Sequence, residues 1–257
     1  MDGAHLKGKY KGTILHAVAM DGNNQILLIG YGIFPKETTD SWTWFLEKRH
    51  ECIDDVEGLT MVTNRAPPSA VSIQNVFPNA QHGLCCFHLI GNIVHTFGKN
   101  KKNSNLFWKL VIAYKTTEFE FYWGRLRNIR DGVATYLSQI PREKWTGAYY
   151  LTTRYDSMTS NSAESMNVVS NKARKLPILP LLEFFCALMQ KWFYKRRMVA
   201  EKGTTKLMKW AEDMVKKNKE GIQGWLVSSV DNTTYQVHDF KSGGIVNLRE
   251  KTCSCRY

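Results

Sequence analysis

The sequence predicts an α/β fold built on a mixed sheet, and three observations carry that prediction. Residues 59–63 form a short β-branched apolar run that stops at Asn64. An amphipathic stretch (Ala70, Val71, Ile73, Val76, Phe77) then ends at Pro78, and a second apolar run covers 83–87, giving the strand–helix–strand order of a parallel pair. Upstream, residues 12–20 and 25–34 read as two strands joined by Asp21-Gly22-Asn23-Asn24, a hairpin turn. Third, 257 residues with 43% hydrophobic and 12% aromatic content can bury a large core, as one domain or one domain with a small appendage.

Between hairpin and βαβ unit, Trp42, Phe45 and Leu46 stand at i, i+3 and i+4, the apolar stripe of a helix covering the sheet. In a mixed sheet, chemistry collects at the carboxyl ends of strands, which is where Asn64 falls. It is an amide and not a carboxylate.

Residues 96–130 turn basic, with eight Lys or Arg against two Glu. Phe97, Phe107, Trp108, Tyr114, Phe119, Phe121, Tyr122 and Trp123 are interleaved with these charges. Such a helical insertion could hold nucleic acid, cations on phosphates and rings on bases. Equally, Phe107, Leu110, Val111 and Tyr114 lie at helical spacing and would make the insertion's own core.

In TSNSAESMN, Asn161 and Glu164 have the spacing of a capping box, so Glu164 has a local structural role open to it. The helix continues through Met166, Val169 and Ala173 with Lys172, Arg174 and Lys175 outward. Residues 177–194 contain Glu183, Gln190 and Lys191 at helical periodicity, the pattern of a core helix and not of a membrane span. Residues 191–219 carry ten Lys or Arg and three acids. From 223 onward short alternating strands with Gly243-Gly244 in a turn run to Thr252-Cys253-Ser254-Cys255.

The motifs Thr63-Asn64, Phe77-Pro78-Asn79-Ala80-Gln81-His82 and Cys85-Cys86-Phe87-His88 resemble the core of plant Mutator-like (MULE) transposases. That resemblance covers Asp2 to about Lys202. It implies a ribonuclease H-like fold and an Asp, Asp, Glu site that cuts and joins DNA with Mg²⁺ or Mn²⁺. Asp2 and Glu164 match the first and third acids, and Asn64 stands where the second is expected. The resemblance therefore gives Asp2, Asn64 and Glu164 as the catalytic positions, Asp2 and Glu164 as metal ligands, and Glu164 in a first helical turn facing the metals. It also pairs Cys85 with His88, whose i, i+3 spacing suits either a metal or the packing of a helix start.

In that fold Asp2 caps the first strand, yet only Met1 precedes it, so most of that strand is expected to be missing. The loss would cost several kcal/mol of a typical ~5–15. The expected fold is thus a ribonuclease H-like mixed sheet with a truncated first strand, a helical insertion and a small C-terminal β region. Its divisions are a core over 1–202 (insertion about 96–160), a basic connector over 203–222, and a β region over 223–257. The end of the last resembles the start of a SWIM zinc finger, with Cys253 and Cys255 as half of a zinc site. Two cysteines cannot close a four-ligand tetrahedron.

Hard cations need anionic oxygens, and Asn64 keeps a carbonyl oxygen without the charge. Losing roughly 4–5 kcal/mol of transition-state stabilisation would slow catalysis about a thousandfold or more. Asp54 and Asp55 precede the strand and are poorly placed to substitute. A net charge of +12 (35 Lys and Arg, 23 Asp and Glu) favours phosphate-rich partners. Lys99, Lys101, Lys102, Arg125, Arg127, Lys172, Arg174 and Lys175 are the candidate DNA contacts. Six irregularly spaced cysteines without a signal peptide fit a reduced, intracellular, nuclear protein. The expectation is a truncated, catalytically inactive, DNA-binding derivative of a transposase, with another copy or a full-length transposase as further partner. The alternative is a domesticated, non-catalytic DNA-binding or transcription-regulating protein of the far-red-response type, and a third reading is an intact nuclease whose site is restored by a partner or another acid.

Overall fold

The structure, a computed structural model, describes residues 1–54, 56–129, 132–150, 158–159, 161–240 and 243–254. Asp55 and Cys255 lie outside these. Strand β1 (Asp2–His5) pairs antiparallel with β2 (Thr13–Met20), and β2 pairs antiparallel with β3 (Ile26–Phe34). The β2–β3 turn forms because Asp21 Oδ1 accepts from the backbone N–H groups of Asn23 and Gln25, each at 2.9 Å. Asn24 follows with φ 56°, a left-handed conformation that Asn tolerates.

Helix α1 (Thr39–Ile53) starts where the Thr38 side chain accepts from the Ser41 N–H, and it buries Trp42, Phe45 and Leu46 as its periodicity predicts. Next come β4 (Thr60–Thr63), α2 (Pro67–Val76) and β5 (Gln81–Leu84), with β4 and β5 parallel from Thr60–Gln81 to Thr63–Leu84. Pro67 and Pro68 occupy the first two positions of α2, where a missing N–H costs nothing.

The two sheets touch where the Met1 nitrogen donates to the Val62 carbonyl at 2.7 Å, so β1 begins beside β4. Asp2, expected to cap the first strand, is instead its first residue: residues 2–5 form a four-residue strand facing 16–13.

Helix α3 (Cys86–Phe97) ends at Gly98, whose φ of 80° turns the chain into the insertion. There α4 (Lys101–Ile112), α5 (Thr116–Arg127) and α6 (Val133–Ser138) are followed by short 3-10 turns at Arg142–Lys144 and Gly147–Tyr149. Leu84, Leu89 and Ile93 from the β5–α3 side pack with Phe107, Leu110, Phe119, Trp123, Leu137 and Trp145 in one core. Of the two uses open to the insertion's aromatics, core packing claims Phe107, Phe119 and Trp123. Tyr114 and Phe121 are exposed.

A second core joins Ala4, Leu6, Ile14 and Leu28 of the first sheet to Met166, Ala173, Leu181 and Phe185. These last four come from α7 (Asn161–Val169), a 3-10 turn at Ala173–Lys175, and α8 (Ile178–Glu201). Among the residues of α8 only Leu181 and Phe185 are buried, so it lies along the core by one face and is not enclosed by it. Val169, expected inward, is exposed. No described helix is long and apolar enough to cross a membrane. Helix α9 (Lys209–Gly221) buries nothing. Strands β6 (Leu226–Ser229), β7 (Thr234–His238), β8 (Gly243–Asn247) and β9 (Thr252–Cys253) then form an antiparallel sheet in that order. Among the described residues the fold is thus mixed α/β with three sheets.

Candidate functional site

Two sets of functional side chains stand out, one at the meeting of the two central sheets and one on the insertion. At the first, Asp2 opens β1 opposite His16 of β2 and is almost wholly buried. Its Oδ2 accepts from Asn167 Nδ2 at 2.8 Å. Burial pushes its carboxyl above the usual range, against the Gly3 N–H and the nearby His88, which favour the anion.

Glu164 sits in the first turn of α7, one turn before Asn167, so both reach the same edge of the sheet. Its Oε1 lies 3.6 Å from His88 Nδ1. The Glu164 carboxylate therefore stands beside His88. Helix α7 begins at Asn161 itself.

His88 belongs to the first turn of α3, and Cys85 precedes that helix. The sulfur of Cys85, the imidazole and the Glu164 carboxylate each offer a ligand atom within 4.8 Å of the others. Cys85 beside the ring is the main cause holding the His88 pKa above its ordinary value, against burial and helped by Glu164 and Asp2. Cys86 faces the other way, its Sγ 3.3 Å from the Trp145 carbonyl in the insertion core.

Asn64 follows β4, but its side chain serves the start of α2: Oδ1 accepts from the Ala66 N–H at 2.9 Å. This is an Asx-type turn. Thr63 ties the strand end together, donating to the Asn64 carbonyl at 2.8 Å and lying 2.9 Å from His82 Nε2. The structure therefore brings Asp2, Glu164, Cys85 and His88 together and leaves the position 64 amide engaged locally.

Asn167 and His16 complete the surroundings of Asp2, and neither was singled out in the sequence. Asn167 was readable as the helical neighbour of Glu164 at i+3. His16 had no signal beyond its place in an apolar strand. Its ring is fully buried, 5.4 Å from the Phe185 ring, and its pKa is lowered to about 4, chiefly by burial and then by Arg174.

The second set lines a groove of about 600 Å³ between α4 and α5: Lys101, Lys102, Asn105, Leu106, Lys109, Arg125 and Asn128. None of its four cations pairs with a carboxylate among the described residues, while nearby Glu120 is taken by Arg142. Lys101, Lys102 and Arg125 were expected contacts. Lys109 and Asn105 were missed, although residues 101, 105 and 109 repeat every four along one face of α4. Lys99 and Arg127 are exposed outside the groove, and Lys172 and Lys175 are exposed beside the 3-10 turn after α7.

Arg174 is a correction. It is only 8% exposed, and its guanidinium donates to the carbonyls of His5 (2.9 Å) and Asn167 (3.0 Å). The turn at 173–175 breaks the helical register that would have placed it outward. Cys253 is half-buried at the end of β9. The Cys255 part of the expected zinc pair falls outside the described residues.

Residues 1–92 match the family model of the MULE transposase domain. That span includes Asp2, Asn64, Cys85 and His88 and does not reach Glu164. The chain is also similar to Protein FAR1-RELATED SEQUENCE 6 of Arabidopsis thaliana, 25% identical over 131 residues. The match takes in 48% of this chain and 18% of that relative's length.

Proposed function

We propose, starting from a MULE transposase domain over residues 1–92, that this protein is a transposase-derived DNA-backbone-binding protein that does not cut DNA. The observation that carries the proposal is the groove between α4 and α5, with four cations free of carboxylate partners among the described residues. Such a row suits successive phosphates, and its binding energy would come from counterion release without reading sequence.

The strands support a ribonuclease H-like arrangement, since β3-β2-β1 and β4-β5 adjoin through the Met1–Val62 bond. The donor set of that arrangement does not fit two Mg²⁺ or Mn²⁺ ions. Such ions need several anionic oxygens. Here position 64 supplies only an amide oxygen, already accepting from the Ala66 N–H, where a second carboxylate is needed. No cleavage step is derived through them. The reading carries with it a nuclear location and association with DNA, and a second copy of the chain or a longer transposase as an additional partner.

The deciding experiment is a salt titration of binding to duplex DNA. A variant with Lys101, Lys102, Lys109 and Arg125 all changed to Gln should lower the slope of log affinity against log salt by about 3–4. Changing Lys172 and Lys175 should leave it unaltered. Equal slopes for the groove variant and the unmodified chain would remove the groove from the interface. Alongside, the unmodified chain should give no Mn²⁺-dependent nicking above that of Glu164→Gln. Nicking lost in Glu164→Gln would make it a nuclease.

A second reading, a transcription regulator of the far-red-response type, is favoured by the similarity to FAR1-RELATED SEQUENCE 6. It differs in requiring preference for one DNA sequence over others at fixed salt.

A further inference from the structure

We propose that Cys85, His88 and Glu164 form a binding site for a single zinc-class divalent cation. The site takes a different metal from the one the acidic positions would imply. The inference rests on this cluster alone and stands or falls apart from DNA binding at the groove.

Three observations carry it. The ligand atoms come from two separate parts of the chain, the β5–α3 junction and the first turn of α7, and converge within 4.8 Å of one another. Ligands about 2.0–2.3 Å from a tetrahedral zinc stand roughly 3.3–3.7 Å apart. The 3.6 Å between His88 Nδ1 and Glu164 Oε1 already matches that span, and closing the sulfur onto it takes a shift of about 1 Å.

Second, His88 Nδ1 is buried yet has no hydrogen-bond partner of ordinary geometry. A buried imidazole nitrogen left so is costly, and a metal bond would satisfy it. At 3.6 Å, Glu164 is too far to accept its proton.

Third, the chemistry of the set selects the ion. A thiolate, an imidazole and a carboxylate suit zinc or cobalt, whereas sulfur is a poor ligand for magnesium or calcium. Cys85 stands at the start of α3, where the helix dipole favours negative charge on a ligand. The adjacent Cys86 is excluded by its contact with the Trp145 carbonyl. Three protein ligands leave a fourth tetrahedral position for water, and the bound ion would pin α7 to the β5–α3 junction.

The test is a titration of the full chain, carrying Cys253→Ser and Cys255→Ser to remove the other cysteine pair, with Co²⁺ and then Zn²⁺. The expected result is an intense sulfur-to-cobalt charge-transfer band that saturates at equimolar metal and is bleached by zinc but not by excess Mg²⁺. Glu164→Gln, a change at a half-exposed position, should weaken binding by more than the about 10–100-fold typical of an outer-shell partner. Cys85→Ser should abolish the band. No band from the folded chain would overturn the proposal. So would a band undiminished in Glu164→Gln, or one that Mg²⁺ removes as readily as zinc. Should Cys85→Ser fail to fold by near-ultraviolet circular dichroism, the Glu164→Gln titration decides.

Discussion

Trp145→Ala should destabilise the protein by about 3–5 kcal/mol, the usual cost of deleting a large buried aromatic side chain. Trp145 is inaccessible to solvent and stacks on Phe107 at 5.8 Å with ring planes 9° apart. It also meets Phe119 at 5.9 Å, and its Nε1 donates to the Ile140 carbonyl at 3.4 Å. The neighbouring Thr146 hydroxyl donates to the Leu110 carbonyl at 2.7 Å, fixing the turn to α4. Removing the indole takes away the ring that three parts of the insertion share, and a rigid cluster cannot close around the void. Against a total stability of about 5–15 kcal/mol this is a large loss. Urea unfolding followed by far-ultraviolet circular dichroism measures it. Trp145→Phe, which keeps a ring against Phe107, should cost clearly less. A loss below about 1 kcal/mol for Trp145→Ala would mean the insertion does not depend on this core.

The second large effect is on pH. His16 is neutral in the fold, its pKa lowered from 6.5 to about 4 by burial, with the Arg174 guanidinium adding to the shift and Asn167 opposing it. The unfolded chain takes up a proton here near pH 6.5, and the folded chain resists until about pH 4. The contribution is therefore fully present above pH 6.5 and drains away as pH falls from there through 4. The shift corresponds to roughly 3 kcal/mol. Unfolding free energies at pH 7 and pH 4 should differ by about that much more in the unmodified chain than in His16→Gln, which cannot titrate. Parallel curves for the two proteins would show that some other group, such as a carboxylate, sets the acid limit.

Much of the architecture was legible because its signals were local. The Asp21 turn, the Trp42-Phe45-Leu46 stripe and the parallel β4–α2–β5 unit each follow from a few neighbouring residues. The site was legible in part. Glu164 and His88 were both named, yet nothing in the sequence placed them 3.6 Å apart, because 75 residues of chain intervene. Arg174 looked like one of three surface cations. Only the turn at 173–175, and two carbonyls from β1 and α7 that need a donor, make it a buried cross-link. His16 was silent for the opposite reason: one polar residue in an apolar strand carries no pattern, and its environment is assembled from α7, α8 and the turn between them.

The division of the interior into separate cores also bears on how the chain folds. The cluster around Trp145 is gathered from one continuous stretch, Leu84 to Ala148, mostly from successive helices. The cluster beneath β1–β3 must instead join residues 4–28 to residues 166–185, closing a loop that contains the whole insertion. Loop closure is an entropic cost levied before any contact repays it, and nearby contacts form sooner than distant ones. The insertion can therefore condense while the two ends of the chain are still apart. Once compact, it shortens the path between them, so that it acts as a brace for the assembly of the sheet from which it departs.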